Sequence, residues 1–150
     1  MVEVCNSDAS FIQSSGQCWA GAVARNHRGL VSLSVCRALS HACTVEEAEG
    51  RAALAGLQAL AKVYRGPVEW ETDSTTLVNM FSPVAPYRSP LYGLILDIKN
   101  ALSVFADHKI SHVAREGNRV AHELAAEARR SGDQELIATV PARVPQFVIS

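Results

Sequence analysis

The chain has 150 residues, with 14 Lys and Arg against 15 Asp and Glu and a formal net charge of -1. That length suits one domain able to bury its own core, so folding requires neither disulfides nor a structural metal. The near-balance of charge excludes a chain that holds nucleic acid through bulk positive charge, and leaves a local basic patch or a metal for that purpose.

The first third reads as strands. Val2 and Val4 alternate with Glu3 in a strand expected to end at Asp8, and Ser14-Ser15-Gly16 makes a polar connection suited to a hairpin. Cys18 to Ala24 is the second strand, Asn26-His27-Arg28-Gly29 its turn, and Leu30 to Ala38 the return strand, with Val31, Leu33 and Val35 at period two. From Thr44 the period becomes helical, because Ala53, Leu57, Leu60 and Tyr64 follow at steps of four, three and four. Thr44 with Glu47 is a capping-box signature and Gly66-Pro67 the stop, which predicts a helix of about five turns. Val68 to Thr72 then reads as a strand and Ser74 to Phe81 as a short helix. Pro83, Pro86 and Pro90 mark a connection to a further helix from Leu91 to about Val104. Lys109 to Val113 is the last predicted strand and Asn118 to Arg130 an Ala-rich closing helix. Residues 1–130 make the domain, and 131–150, with Pro141 and Pro145, a less regular tail packed on it or extending from it.

This order predicts an α/β fold with a mixed five-stranded sheet, a three-stranded antiparallel meander plus two parallel strands reached through crossover helices, flanked by helices. Few aromatics leave a core of Ala, Val and Leu, which suits helices packed closely on a sheet. Cys5, Cys18, Cys36 and Cys43 form no C-x-x-C pair and have no His at zinc spacing, so they read as small core residues of a reducing compartment. No secretory signal or transmembrane run is legible, so the expected location is nuclear or cytoplasmic and no membrane partner is expected.

Three carboxylates stand at predicted junctions. Asp8, alone, reads as a turn former that accepts a hydrogen bond from the backbone two residues on. Continuing the apolar stripe of the first helix backwards reaches Glu49, which then points at the sheet; Glu46 lies near the same stripe and competes, and an acid in a first turn also gains from the helix dipole while solvated. Asp73 before Ser74 has an ordinary reading as an N-cap. Together the three converge if the first and fourth strands are neighbours. Convergent carboxylates repel unless protonated or shared with cations. Mg²⁺ is the natural partner, using few protein oxygens plus waters and substrate phosphate.

The run Glu49-Gly50-Arg51-Ala52-Ala53-Leu54-Ala55-Gly56-Leu57, the block Glu71-Thr72-Asp73-Ser74 and the closing stretch from His112 through Asn118 and His122 to Ala125 resemble the type 1 ribonuclease H family, and within it the plant reverse-transcriptase-like domains. The resemblance covers nearly the whole chain, including the tail around Val140 to Val148. It implies a metal-dependent endonuclease that hydrolyses the RNA strand of RNA–DNA hybrids with two Mg²⁺ or Mn²⁺ ions, ~4 Å apart. Asp8, Glu49 and Asp73 match three members of the family's catalytic and metal-binding tetrad, and the fourth, an Asp in Asn-x-x-x-Asp-x-Leu-Ala, falls on His122. A histidine there removes a negative charge and suits Mn²⁺ better than Mg²⁺; the other reading of His122 is a partly exposed helix residue with no ligand role. His112 matches the region of a mobile histidine that assists proton transfer or product release, while its place between Ile110 and Val113 reads as a structural histidine.

The resemblance also implies contacts to RNA, for which Asn6, Ser7, Ser10, Ser74 and Asn79 are candidates. Arg115 and Arg119, with Arg129 and Arg130, are candidates for phosphate, or are solvated helix arginines. The lysine-rich protrusion of some bacterial relatives is missing between Ser82 and Leu91, which predicts weak hybrid affinity and suggests further domains in a longer, retroelement-derived parent. Against the nuclease stands a catalytically weakened nucleic-acid-binding or protein-interaction module, with exonuclease or integrase-like chemistry on the same scaffold as a third reading.

Overall fold

The computed structural model of the chain describes residues 1–83 and 89–145. Strands β1 (Glu3–Phe11), β2 (Cys18–Arg25) and β3 (Val31–Leu39) form the antiparallel meander. Helix α1 (Val45–Ala61) leads to β4 (Val68–Thr72), the short α2 (Thr75–Met80) and α3 (Tyr92–Leu102) lead to β5 (His108–His112), and a 3₁₀ turn at Arg115–Asn118 enters α4 (Arg119–Ser131). Within the connection before α3, Pro86 lies outside the described residues, as does the part of the tail resemblance at 146–148.

The sheet order is β5-β4-β1-β2-β3-β6, with β4 parallel to β1 and β5 parallel to β4. Among the described residues the expected five strands are therefore six. The addition, β6 (Gln134–Ile137), pairs antiparallel with β3 from Cys36↔Gln134 to Leu33↔Ile137. Val140 and Val144 beyond it are buried with Val23, Cys36, Val120, Leu124 and Ala128.

Consecutive strand residues face opposite sides of a sheet, and Gly21 and Ala22 show what lies on each. A Cβ on Gly21 would meet the backbone of α4, whereas Ala22 lies against Gly56 of α1, where a Cβ would come within 2.6 Å of its own. The sheet is thus sandwiched between α1 with α3 and α4. The predicted stripe of Ala53, Leu57 and Leu60, flanked by Tyr64, packs with Leu33, Val35, Trp70, Ile95, Ile98 and Leu102 in the larger core. Thr44 caps α1 by accepting from the Glu47 N–H at 3.1 Å, and Glu47 Oε2 returns to accept from the Cys43 N–H at 3.1 Å. This pair fixes where α1 starts, and with it the azimuth of every residue in the helix. Among the described residues no helix is long and apolar enough to cross a membrane.

Candidate active site

Asp8 does not end its strand. β1 pairs with β2 as far as Phe11↔Cys18, so Asp8 is mid-strand on that side; its parallel pairing with β4 stops at Asn6↔Glu71. Asp8 therefore stands beside the place where β4 leaves the ladder, and it forms no turn. Asp73 follows the end of β4, and it is not the N-cap of α2. That role belongs to Ser74, whose side chain accepts from the Leu77 N–H at 3.2 Å and leaves the Asp73 carboxylate uncommitted to the cap. Glu49, one turn into α1, continues the apolar stripe and points inward as its phase predicts.

Oxygens of Asp8, Glu49 and Asp73 all lie within 4.8 Å of one another. They sit in a cleft of about 730 Å³ also lined by Glu46, Ser74, His112, Arg115, Arg119 and His122. Glu46 is thus a lining residue outside the converging triad. Burial pushes the Glu49 carboxyl up to about 10, with the charge and hydrogen bonding of Asp8 and then the charge of Asp73 adding to it. Its Oε2 is sealed from solvent with no hydrogen-bond partner. Burial also raises Asp73, as does Asp8, while Arg115 and His112 pull it back. A hard divalent cation fits this set, because every donor is a carboxylate oxygen, one of them has no other partner, and a cation replaces the proton that crowding otherwise forces on the site.

His122 Nδ1 lies 3.0 Å from Asp8 Oδ2, with the imidazole 67% exposed and the Asp8 side chain 8% exposed. It is exposed on its helix and lies against the buried carboxylate. The cause is a residue that the sequence patterns did not single out. Gly21 is the cross-strand partner of Asp8, and a Cβ there would lie 2.2 Å from the Ala121 carbonyl oxygen and 2.2 Å from the Ala125 nitrogen. Only without that atom does the α4 backbone rest on the strand at this height and bring His122 to Asp8. Asn118 is a second such residue. Buried at the start of α4, it donates from Nδ2 to the Ser7 carbonyl at 2.9 Å, tying the helix to the residue before Asp8. Its position at the head of the Asn-x-x-x-His-x-Leu-Ala pattern was the available signal.

The remaining candidates divide. Asn6 and Ser7 are buried and their side chains are committed within the protein, Asn6 Nδ2 to Glu71 Oε1 at 3.0 Å and Ser7 Oγ accepting from Trp70 Nε1 at 2.9 Å. Both are strand residues whose partners lie more than sixty positions away, beyond the reach of any local pattern. Ser10 is half-buried two residues beyond Asp8, and Asn79 is exposed on α2; neither lines the cleft. Arg115 and Arg119 are exposed and line it. Arg129 stands over the Trp19 ring at 5.2 Å, and Arg130 pairs with Glu127 at 2.9 Å, away from the cleft lining. His112 is exposed at the end of β5 on the cleft wall, which corrects its reading as an enclosed structural histidine.

The sequence matches the reverse transcriptase-like family over residues 6–128. The chain belongs to that family. None of the curated proteins matches it in sequence. Among solved structures, it is similar to the ribonuclease H1 of the archaeon Halobacterium salinarum, with 24% identity, a TM-score of 0.79 and 87% of this chain covering 98% of that one. The N-terminal ribonuclease H domain of a Mycobacterium tuberculosis protein gives 25% identity and a TM-score of 0.77, over 87% of this chain and 95% of the other. The metagenomic LC11 ribonuclease H1, solved in complex with an RNA/DNA hybrid, gives 21% identity and a TM-score of 0.73, over 83% and 94%. This reverse transcriptase-like chain thus has a ribonuclease H fold with an acidic cluster at the place where β1, β4 and α1 meet.

Proposed function

We propose that the protein is a metal-dependent endonuclease that hydrolyses the RNA strand of RNA–DNA hybrids. The observation that carries this reading is the convergence of Asp8, Glu49 and Asp73, with Glu49 Oε2 unpartnered, inside a cleft that also presents Arg115 and Arg119. The hybrid-bound LC11 enzyme of the same fold supports the substrate class.

Asp8, Glu49 and Asp73 would hold the cations, with His122 beside them on Asp8. Two bound Mg²⁺ or Mn²⁺ ions supply an activated water and stabilise the leaving oxygen. Glu49 and Asp73, whose carboxyls burial raises, must be deprotonated to receive cations, so acid opposes loading of the site. Arg115 and Arg119, exposed on the wall that carries the start of α4, attract the phosphate backbone and orient it toward the carboxylates. His112, exposed on the same wall, is placed to pass a proton between the cleft and solvent. His122 substitutes a neutral nitrogen donor for an oxyanion, which shifts preference from Mg²⁺ toward Mn²⁺.

A labelled RNA–DNA hybrid incubated with the protein in Mg²⁺ and in Mn²⁺, alongside Asp73→Asn, tests the proposal. Cutting of the RNA strand by the wild type alone is expected. Absence of cleavage with both metals, or equal cleavage by the variant, would leave the second reading, a binding module that kept the fold and lost turnover; the histidine in place of the fourth carboxylate is what favours it.

A further inference from the structure

Asn6 and Glu71 face each other in the last register pair of the parallel β1–β4 ladder. Asn6 Nδ2 donates to Glu71 Oε1 at 3.0 Å. Each stands two residues before a carboxylate of the cluster, Asn6 before Asp8 and Glu71 before Asp73. Strand side chains alternate, so Asn6 shares its face with Asp8, and the side-chain rung lies immediately below the point where the two carboxylates diverge from the ladder. The backbone ladder ends there, so on the face that carries Asp8 this rung ties the two strands just before the cluster.

The other anchors near this point do not duplicate it. Trp70 donates from Nε1 to Ser7 Oγ on the opposite face, and Asn118 holds the Ser7 carbonyl from α4. The first ties β4 to β1 from the other side of the sheet, the second ties β1 to α4, and neither engages Glu71 or the face that carries Asp8. A carboxylate two residues before Asp73 is an unusual choice for a half-buried contact. Its company explains how it is tolerated: the Asn6 amide donates to it, and the buried Arg25 guanidinium on β2 lies within its electrostatic reach.

We propose that Asn6 and Glu71 are a positioning pair that sets the separation of Asp8 and Asp73 and thereby the affinity of the site for divalent cations. This inference rests on reading the three carboxylates as a metal site. Groups that orient ligands without touching the ion typically govern affinity by one to two orders of magnitude.

The test is Mn²⁺ titration of the full chain, with free Mn²⁺ measured by electron paramagnetic resonance, for wild type, Asn6→Ala, Glu71→Ala, the double variant and Glu71→Gln. Each alanine variant is expected to weaken Mn²⁺ binding roughly tenfold, and the double variant no further, because either change removes the same rung. Glu71→Gln keeps the acceptor oxygen without the charge and is expected to bind within about twofold of wild type. Should an alanine variant not fold, Asn6→Leu, close in size and lacking the donor, takes its place with the same expectation. Unchanged affinity with a lowered melting temperature would make the rung purely structural and overturn the proposal. So would losses that multiply in the double variant, or a Glu71→Gln loss equal to that of alanine. In each of those outcomes wild-type uptake of Mn²⁺ leaves the metal reading standing, whereas no uptake by the wild type overturns both.

Discussion

Replacing Glu49 by glutamine should stabilise the cation-free protein while removing its function. The Glu49 carboxyl ordinarily titrates at 4.5 and is pushed up to about 10 in the folded protein, first by burial and then by Asp8. Below its ordinary value the group is protonated in both states and contributes nothing. As pH rises above it, the unfolded chain releases a proton that the folded chain still holds, so stability falls by about 1.4 kcal/mol per pH unit. At pH 7 the accumulated loss is about 3 kcal/mol, and it is set by the pH interval from the ordinary value, since the folded group is still protonated there. This is an upper figure, because Asp8 shares the field of the same carboxyl. Glutamine does not titrate and escapes the loss. In chelator, Glu49→Gln should therefore match wild type near pH 4.5 and exceed it by about 2–3 kcal/mol at pH 7 in urea unfolding. That corresponds to a rise of roughly 5–10 °C in melting temperature. Saturating Mn²⁺ should reverse the order, raising wild type by mass action and leaving the variant where it was. Parallel pH profiles for the two proteins, or a variant less stable than wild type at pH 7 without metal, would refute the buried-carboxyl argument.

Asp73→Asn should lower RNA-strand cleavage of a labelled hybrid at least ~100-fold, measured as initial rate at saturating Mn²⁺. His122→Asp should raise the Mg²⁺-supported rate relative to the Mn²⁺-supported one, because it restores an oxyanion donor beside Asp8; an unchanged ratio would remove His122 from the metal site. Gly21→Ala drives a methyl group into the α4 backbone at 2.2 Å and should cost about 3 kcal/mol in urea unfolding, together with the His122–Asp8 contact as read by the histidine NMR signal. Asn118→Ala leaves the buried Ser7 carbonyl unpaired and should destabilise by about 1–3 kcal/mol by the same unfolding assay.

Much of this molecule is determined by periodicity that is local in the chain. The stripe through Ala53, Leu57 and Leu60 placed α1 and aimed Glu49 inward, because a helix fixes the azimuth of each residue relative to its neighbours. Alternation placed β2 and β3 for the same reason. β6 escaped notice since Gln134–Ile137 is only 4 residues long and becomes a strand only by pairing with β3, roughly a hundred positions earlier. Tertiary structure also decided the details of the site. Asn6 and Ser7 are candidates for RNA contact by type alone, and Glu71, Trp70 and Asn118, all distant in the chain, take up their polar groups. Asp8 resembled a turn until β2 carried the strand past it. Carboxylate identity and helix phase are written in the sequence, whereas the distance between carboxylates from three elements, the burial that makes one hold a proton, and the seat that Gly21 provides for α4 exist only once the sheet has closed.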